Sequence, residues 1–146
     1  MVTQKPQQKR KLYMAYGSNM NIKQMRDRCH DARVVGSSYL LDWRLTMPFY
    51  ANIEKEPGSK VPVLIWEISE ADEQELDEYE GYPTKYDKQN LTIEINGQEV
   101  EVMVYIMTDE YKVLTNKKAR DGYEDTIKQG YKDAGFDLEE YQPVRP

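Results

Sequence analysis

Four consecutive residues, Tyr16-Gly17-Ser18-Asn19, and one carboxylate, Glu80, are the groups of this 146-residue chain best suited to chemistry. Successive backbone N–H groups at a bend between a strand and a helix attract an anion, so the tetrapeptide is a candidate carboxylate cradle. Gly17 permits close approach. Taken alone, the same residues also suit an ordinary strand-to-helix turn. Glu80 falls where a helix starting near Ser69 runs out, against the negative end of its dipole. A carboxylate so placed and partly desolvated has its pKa raised, which makes it a proton carrier near neutral pH. The plainer reading is one more solvated acid, since Glu70, Asp72, Glu73, Glu75, Asp77 and Glu78 crowd the same stretch. Twelve tyrosines against two phenylalanines favour rings that pack and also donate a hydrogen bond. Tyr86, Tyr105 and Tyr123 are the tyrosines of interest, and each is a packing residue unless they share one location. The neighbours Cys29 and His30 could pass for a nucleophile and its base. Adjacent helical residues point about 100° apart, however, and a core cysteine beside a surface histidine is the expectation.

The apolar spacing says which elements must hold these groups. Residues 11–16 read as a strand, broken by Gly17, Ser18 and Asn19. Asn21 is placed to cap a helix whose apolar residues Ile22, Met25 and Cys29 recur at helical spacing. Residues 34–41 and 43–50 are expected as two strands joined near Asp42, with Pro48 marking an end or an edge. The charged stretch 54–60, with Pro57 and Gly58, is expected as a surface loop. Residues 61–68 form the most continuous apolar run and are expected as a buried central strand. Ser69 with Asp72 resembles a capping box, ahead of a helix stopped by Gly81 and Pro83.

Asn96-Gly97 between the alternating runs 87–95 and 98–107 predicts a two-residue hairpin. Pairing Ile95 with Gln98 sets Ile93 opposite Val100 and Leu91 opposite Val102. Carried further, that register puts Tyr86 opposite Met107, diagonal to Tyr105 on the same face. Near the turn this face carries Thr92, Glu94, Glu99 and Glu101, so the two tyrosines point away from the Val/Leu side and towards a cleft. Tyr123, Ile127 and Tyr131 recur every four residues on a closing helix that ends near Gly135.

The length suits a single domain over residues 11–146, behind a polar, Gln-rich and disordered tail over residues 1–10. One cysteine permits neither an internal disulfide nor a cysteine metal site, which fits a reducing cytosol. A net charge of −6 argues against a nucleic-acid surface and suits a small-molecule partner. No apolar run approaches the ~20 residues needed to span a bilayer, and the N-terminus lacks the apolar core of a secretory signal. A cytoplasmic protein without a membrane partner is therefore expected. The sequence leaves room for a homodimer.

In order and spacing, the segments LYMAYGSNM, VPVLIWEIS running into LDEYEGYPTKY, VYIMT and GYEDTIKQGYKDAGFDLEEY resemble the gamma-glutamylcyclotransferases and the related AIG2-like proteins. The resemblance extends from Leu12 to about Tyr141. It implies an α+β fold, a small mixed β-barrel flanked by helices, with the substrate in a cavity beside the YGSN loop. It further implies that Tyr16, Gly17, Ser18 and Asn19 hold a γ-glutamyl group, its α-carboxylate on backbone N–H groups, and that Glu80 carries the proton. Tyr105 matches a tyrosine lining the family's pocket, and Tyr86 and Tyr123 match where family spacing varies.

The implied reaction is attack of the substrate's own α-amine on its γ-amide, which releases 5-oxoproline and places the enzyme in glutathione metabolism. It implies no cofactor and no metal. Asn19 favours the branch acting on γ-glutamyl amino acids, whereas GYPTKYDK after Glu80 is closer to the AIG2-like proteins. Two readings of other classes stand beside it. One is a small-molecule binding module that keeps the pocket without this turnover, and the other is a protein-interaction surface on the acidic helix from Glu70 to Glu80.

Overall fold

A computed structural model describes residues 10–114 and 116–146. The chain runs through β1 (Arg10–Ala15), a 3-10 turn (Ser18–Met20), α1 (Ile22–Arg28), β2 (Arg33–Thr46) and β3 (Asn52–Ser69). It continues through α2 (Glu70–Glu80), β4 (Tyr86–Ile95), β5 (Gln98–Met107), the short α3 (Asp109–Lys112), α4 (Tyr123–Asp133) and a last 3-10 turn (Leu138–Glu140). The strands form one sheet in the order β2-β3-β1-β5-β4, parallel between β1 and β5 and antiparallel elsewhere. This is the expected mixed α+β class, but the sheet is not closed into a barrel.

The two edge strands are β2 and β4. β2 and β4 approach each other without a ladder, and the Ser38 hydroxyl donates to the Glu94 carbonyl across the gap. The neighbouring Ser37 hydroxyl donates to the Ala134 carbonyl, beyond α4. Of the expected tail, residues 1–9 lie outside the described residues. Arg10 already belongs to β1, its guanidinium paired with Glu67 across the ladder.

Two strand expectations need correction. Residues 34–41 and 43–50 are not two strands. β2 runs unbroken through Asp42, which takes a positive φ of 67° at a bulge, and ends at Thr46. Nor is 54–60 a connecting loop. Trp43 pairs with Lys55 and Leu41 with Lys60, so residues 56–59 bulge opposite Asp42 alone, and Gly58 N–H donates to the Asp42 carboxylate at 3.0 Å. The Pro-Gly chemistry is real, but pairing on both sides holds it inside one strand.

Elsewhere the local signals are obeyed. Asn21 Oδ1 accepts from Gln24 N–H at 3.0 Å and caps α1. Ser69 and Asp72 form the reciprocal capping box of α2, both bonds at 3.1 Å. The hairpin has the expected register from Ile95↔Gln98 to Tyr86↔Met107, with Asn96 and Gly97 both at positive φ. Cys29 is fully buried beside an exposed His30. Tyr123, Ile127 and Tyr131 bury one side of α4. No helix among the described residues is long and apolar enough to cross a membrane.

Candidate active site

The bend at residues 16–19 is clamped from several directions. Trp66, buried near the C-terminal end of β3, donates its Nε1–H to the Asn19 carbonyl at 3.0 Å. Asn19 Nδ2 donates to the Tyr13 hydroxyl at 3.0 Å, and Arg28 from α1 donates to Asn19 Oδ1. Both polar ends of the Asn19 side chain are thus engaged in holding the bend. α4 lies directly against it, since a Cβ on Gly130 would come within 2.7 Å of Asn21 N and Met20 C. Met20 N–H and Asn21 N–H return to the carbonyls of Gly17 and Ser18, each at 3.0 Å. The amides of Gly17, Ser18 and Asn19 meet no backbone carbonyl among the described residues, which leaves them available to an anion.

Glu80 is the last residue of α2, which Gly81 ends in the left-handed conformation at φ 66°. Its side chain lines the same cavity, about 180 Å³, as Tyr16, Gly17, Ser18 and Asn19. The carboxyl has no hydrogen-bond partner among the described residues. Burial pushes its pKa up to about 7, against the downward pull of Arg28 and then Arg120. Glu80 keeps some solvent-accessible surface, as a residue facing an open cavity must, yet enough protein surrounds the carboxyl for desolvation to dominate.

The three candidate tyrosines reach this cavity from different elements. Tyr86 and Tyr105 come from the hairpin face that the register marked out, and Tyr123 opens α4. Their hydroxyls also tie the walls together. Tyr86 donates to the Ala51 carbonyl at 2.7 Å, and Tyr105 donates to Asp77 at 2.6 Å. Tyr123 accepts from Ala51 N–H at 3.0 Å, and Tyr16 donates to the Tyr105 carbonyl at 2.6 Å. Burial, first among the causes, raises the pKa of all four phenols, so they serve as neutral hydrogen-bonding groups. All eight residues singled out in the sequence therefore face one cavity. No group of three or more His, Cys, Asp or Glu side chains suited to a metal ion occurs among the described residues.

The family model for gamma-glutamyl cyclotransferase, AIG2-like, matches residues 13–130. The chain belongs to this family. Solved structures of gamma-glutamyl cyclotransferase type share its fold. An uncharacterized human protein, 25% identical over 89% of this chain and 83% of its own, superposes with a TM-score of 0.72. A structure named gamma-glutamyl cyclotransferase, 23% identical over 90% of this chain and 83% of its own, gives the same TM-score. A mouse AIG2-like protein, 20% identical over 77% of this chain and 89% of its own, gives 0.59. No curated protein matches.

Beyond the eight, this AIG2-like cavity uses residues that the sequence did not single out. Eight of the twelve tyrosines line it, which accounts for the skew away from phenylalanine. Tyr79, one residue before Glu80, shares a 2.8 Å hydrogen bond with the Ser18 hydroxyl. Its oxygen also accepts from Arg120 at 2.9 Å, while the Arg28 guanidinium lies 3.4 Å from its ring centre. Two cations thus converge on the wall beside the carboxyl. The tyrosine excess was the available signal for Tyr79. For Arg28, on α1, and Arg120, in an irregular segment, no local pattern carries it.

Proposed function

We propose that this protein is a gamma-glutamylcyclotransferase that releases 5-oxoproline from a γ-glutamyl amino acid, peptide or amine. The observation that carries the reading is Glu80, whose buried carboxyl has no hydrogen-bond partner among the described residues and faces the same small cavity as the YGSN bend, burial pushing its pKa up to about 7. The substrate's α-carboxylate rests on the free amides of Gly17, Ser18 and Asn19, which folds the γ-glutamyl chain back on itself. Such intramolecular placement is worth ~7–11 kcal/mol of barrier. Glu80 removes a proton from the α-ammonium, and the freed amine attacks the γ-carbonyl carbon to form the ring C–N bond. As the oxyanion collapses the amide C–N bond breaks, the departing nitrogen takes its proton from Glu80, and the ring nitrogen gives its second proton to the emptied Glu80 carboxylate, which passes it to the released amine. General acid–base help of this kind contributes typically ~10²–10⁴-fold.

The Tyr79 oxygen already accepts from Arg120, so its own proton can go to Ser18 or to the developing oxyanion. The buried phenols stay protonated throughout. A panel of γ-glutamyl amino acids, peptides and amines, assayed for 5-oxoproline with the purified full chain, tests the proposal. Release from at least one member is expected. Ligand-induced stabilisation without product across the whole panel would establish the binding-module reading instead.

A further inference from the structure

Arg120 and Lys85 line the cavity of Glu80, and no step of the cyclisation needs their charge. Neither forms an ion pair with an Asp or Glu among the described residues, and residues 1–9 and 115 contain no acid. Arg120 is nonetheless held in place. Its guanidinium donates to the Tyr79 oxygen at 2.9 Å and lies 4.9 Å from the ring centre of Tyr123 and 5.7 Å from that of Tyr50. The Lys85 stem packs against Gly81, where a Cβ would come within 2.7 Å of Lys85 Cδ, and its ammonium stands 5.7 Å from the ring centre of Tyr111. Tyr79 precedes Glu80 and Gly81 follows it, so the two cations are anchored on either side of the catalytic candidate. An edge-to-face row of rings, Tyr111, Phe49, Tyr50 and Tyr123, runs from one cation to the other.

Depth within the cavity says which part of a substrate meets them. Ser18 and Asn19 are buried, whereas Arg120 and Lys85 are exposed, so the cations stand where the cavity opens to solvent. In the reaction proposed above, the α-carboxylate occupies the buried bend and the scissile amide lies at Glu80, which leaves the departing group to extend outward past the cations. Glu80 is the single acid among the lining residues, so a fixed guanidinium and an ammonium without a counter-charge favour an anionic group there. We propose that Arg120 and Lys85 set the specificity of this site by holding a carboxylate on the departing amine, so that a γ-glutamyl amino acid is preferred to a γ-glutamyl amine. The inference rests on the cyclotransferase reading and narrows its substrate class.

Matched substrates that differ by that carboxylate alone test this with the purified full chain. The pairs are γ-glutamyl-alanine with γ-glutamyl-ethylamine and γ-glutamyl-phenylalanine with γ-glutamyl-phenethylamine, each read as kcat/KM for 5-oxoproline release. The acid of each pair is expected to be favoured roughly tenfold. Arg120→Gln should bring that ratio to about threefold, and Arg120→Gln combined with Lys85→Gln to about one. The ratio is the readout because an effect transmitted through Tyr79 or Glu80 slows both members of a pair alike and cancels. Lys85→Gln alone, at an exposed residue, should lower the ratio about threefold and serves should the Arg120 variants fail to fold. A wild-type ratio below about threefold overturns the inference. So does a folded double variant that keeps the wild-type ratio, the result expected were both cations holding the glutamyl carboxylate instead. No release from either pair also overturns it. Release from other members of the wider γ-glutamyl panel would then leave the cyclotransferase reading standing, and none from any member would remove that reading too.

Discussion

Replacing Glu80 with glutamine should change how stability depends on pH in a calculable way. In the folded chain the Glu80 carboxyl titrates near 7 rather than at its ordinary 4.5, chiefly because burial disfavours the charge. The folded state therefore holds the proton more tightly than the unfolded state. Stability from this group is complete below about pH 4.5 and is lost as pH rises through about 7, above which the fold carries a buried charge. At about 1.4 kcal/mol per pH unit, the displacement amounts to roughly 3 kcal/mol, an upper value because the cavity lets some solvent reach the group. Glu80→Gln is neutral throughout and lacks this loss. Urea unfolding of both proteins between about pH 4 and about pH 8, followed by the fluorescence of the fully buried Trp66, measures the difference directly. The variant should gain on the wild type by up to ~3 kcal/mol across that range, with other titrating groups cancelling. Two curves that stay parallel to within about 0.5 kcal/mol would refute the assignment of a buried, proton-holding carboxyl.

Other expectations follow from the same geometry. Since Glu80 must be ionised to accept the α-ammonium proton, kcat should fall as pH drops below about 7, and a midpoint near 4.5 would show an ordinary solvated acid. Gly130→Ala places a methyl within 2.7 Å of the bend, so chemical denaturation should show ~1–3 kcal/mol of destabilisation, and an unchanged midpoint would contradict the close packing of α4. Trp66→Phe removes the donor to the Asn19 carbonyl, so a stability loss of about 1–2 kcal/mol and faster hydrogen exchange at residues 17–20 are expected. Tyr79→Phe should slow 5-oxoproline release about tenfold while leaving the melting temperature nearly unchanged, and full activity would remove Tyr79 from the site.

What could be read from the residues was whatever is specified locally. Asn96-Gly97 set the hairpin, and the two-residue repeat then carried Tyr86 and Tyr105 to one face without any long-range information. Asn21, Ser69 and Asp72 announced their helices because caps are chemistry between near neighbours. The 54–60 stretch misled for the opposite reason. Charge, proline and glycine there describe a loop, and only pairing with distant β2 residues turns it into a bulge within β3. Closure of the sheet was equally non-local, a matter of how the distant edges β2 and β4 meet. The bend and Glu80 were visible as separate pieces. Their junction depends on Trp66 from β3 and Gly130 from α4 holding the bend, and nothing in the residues around the bend announces either contact.

In the proposed reaction one carboxyl, Glu80, moves the protons of the cyclisation. The most direct test compares the turnover rates of wild type and Glu80→Gln on the same γ-glutamyl substrate, read as released 5-oxoproline, with both proteins shown to be folded. A loss on the order of 10²–10⁴ is expected. A Glu80→Gln protein that turns over within about tenfold of the wild type would contradict the account.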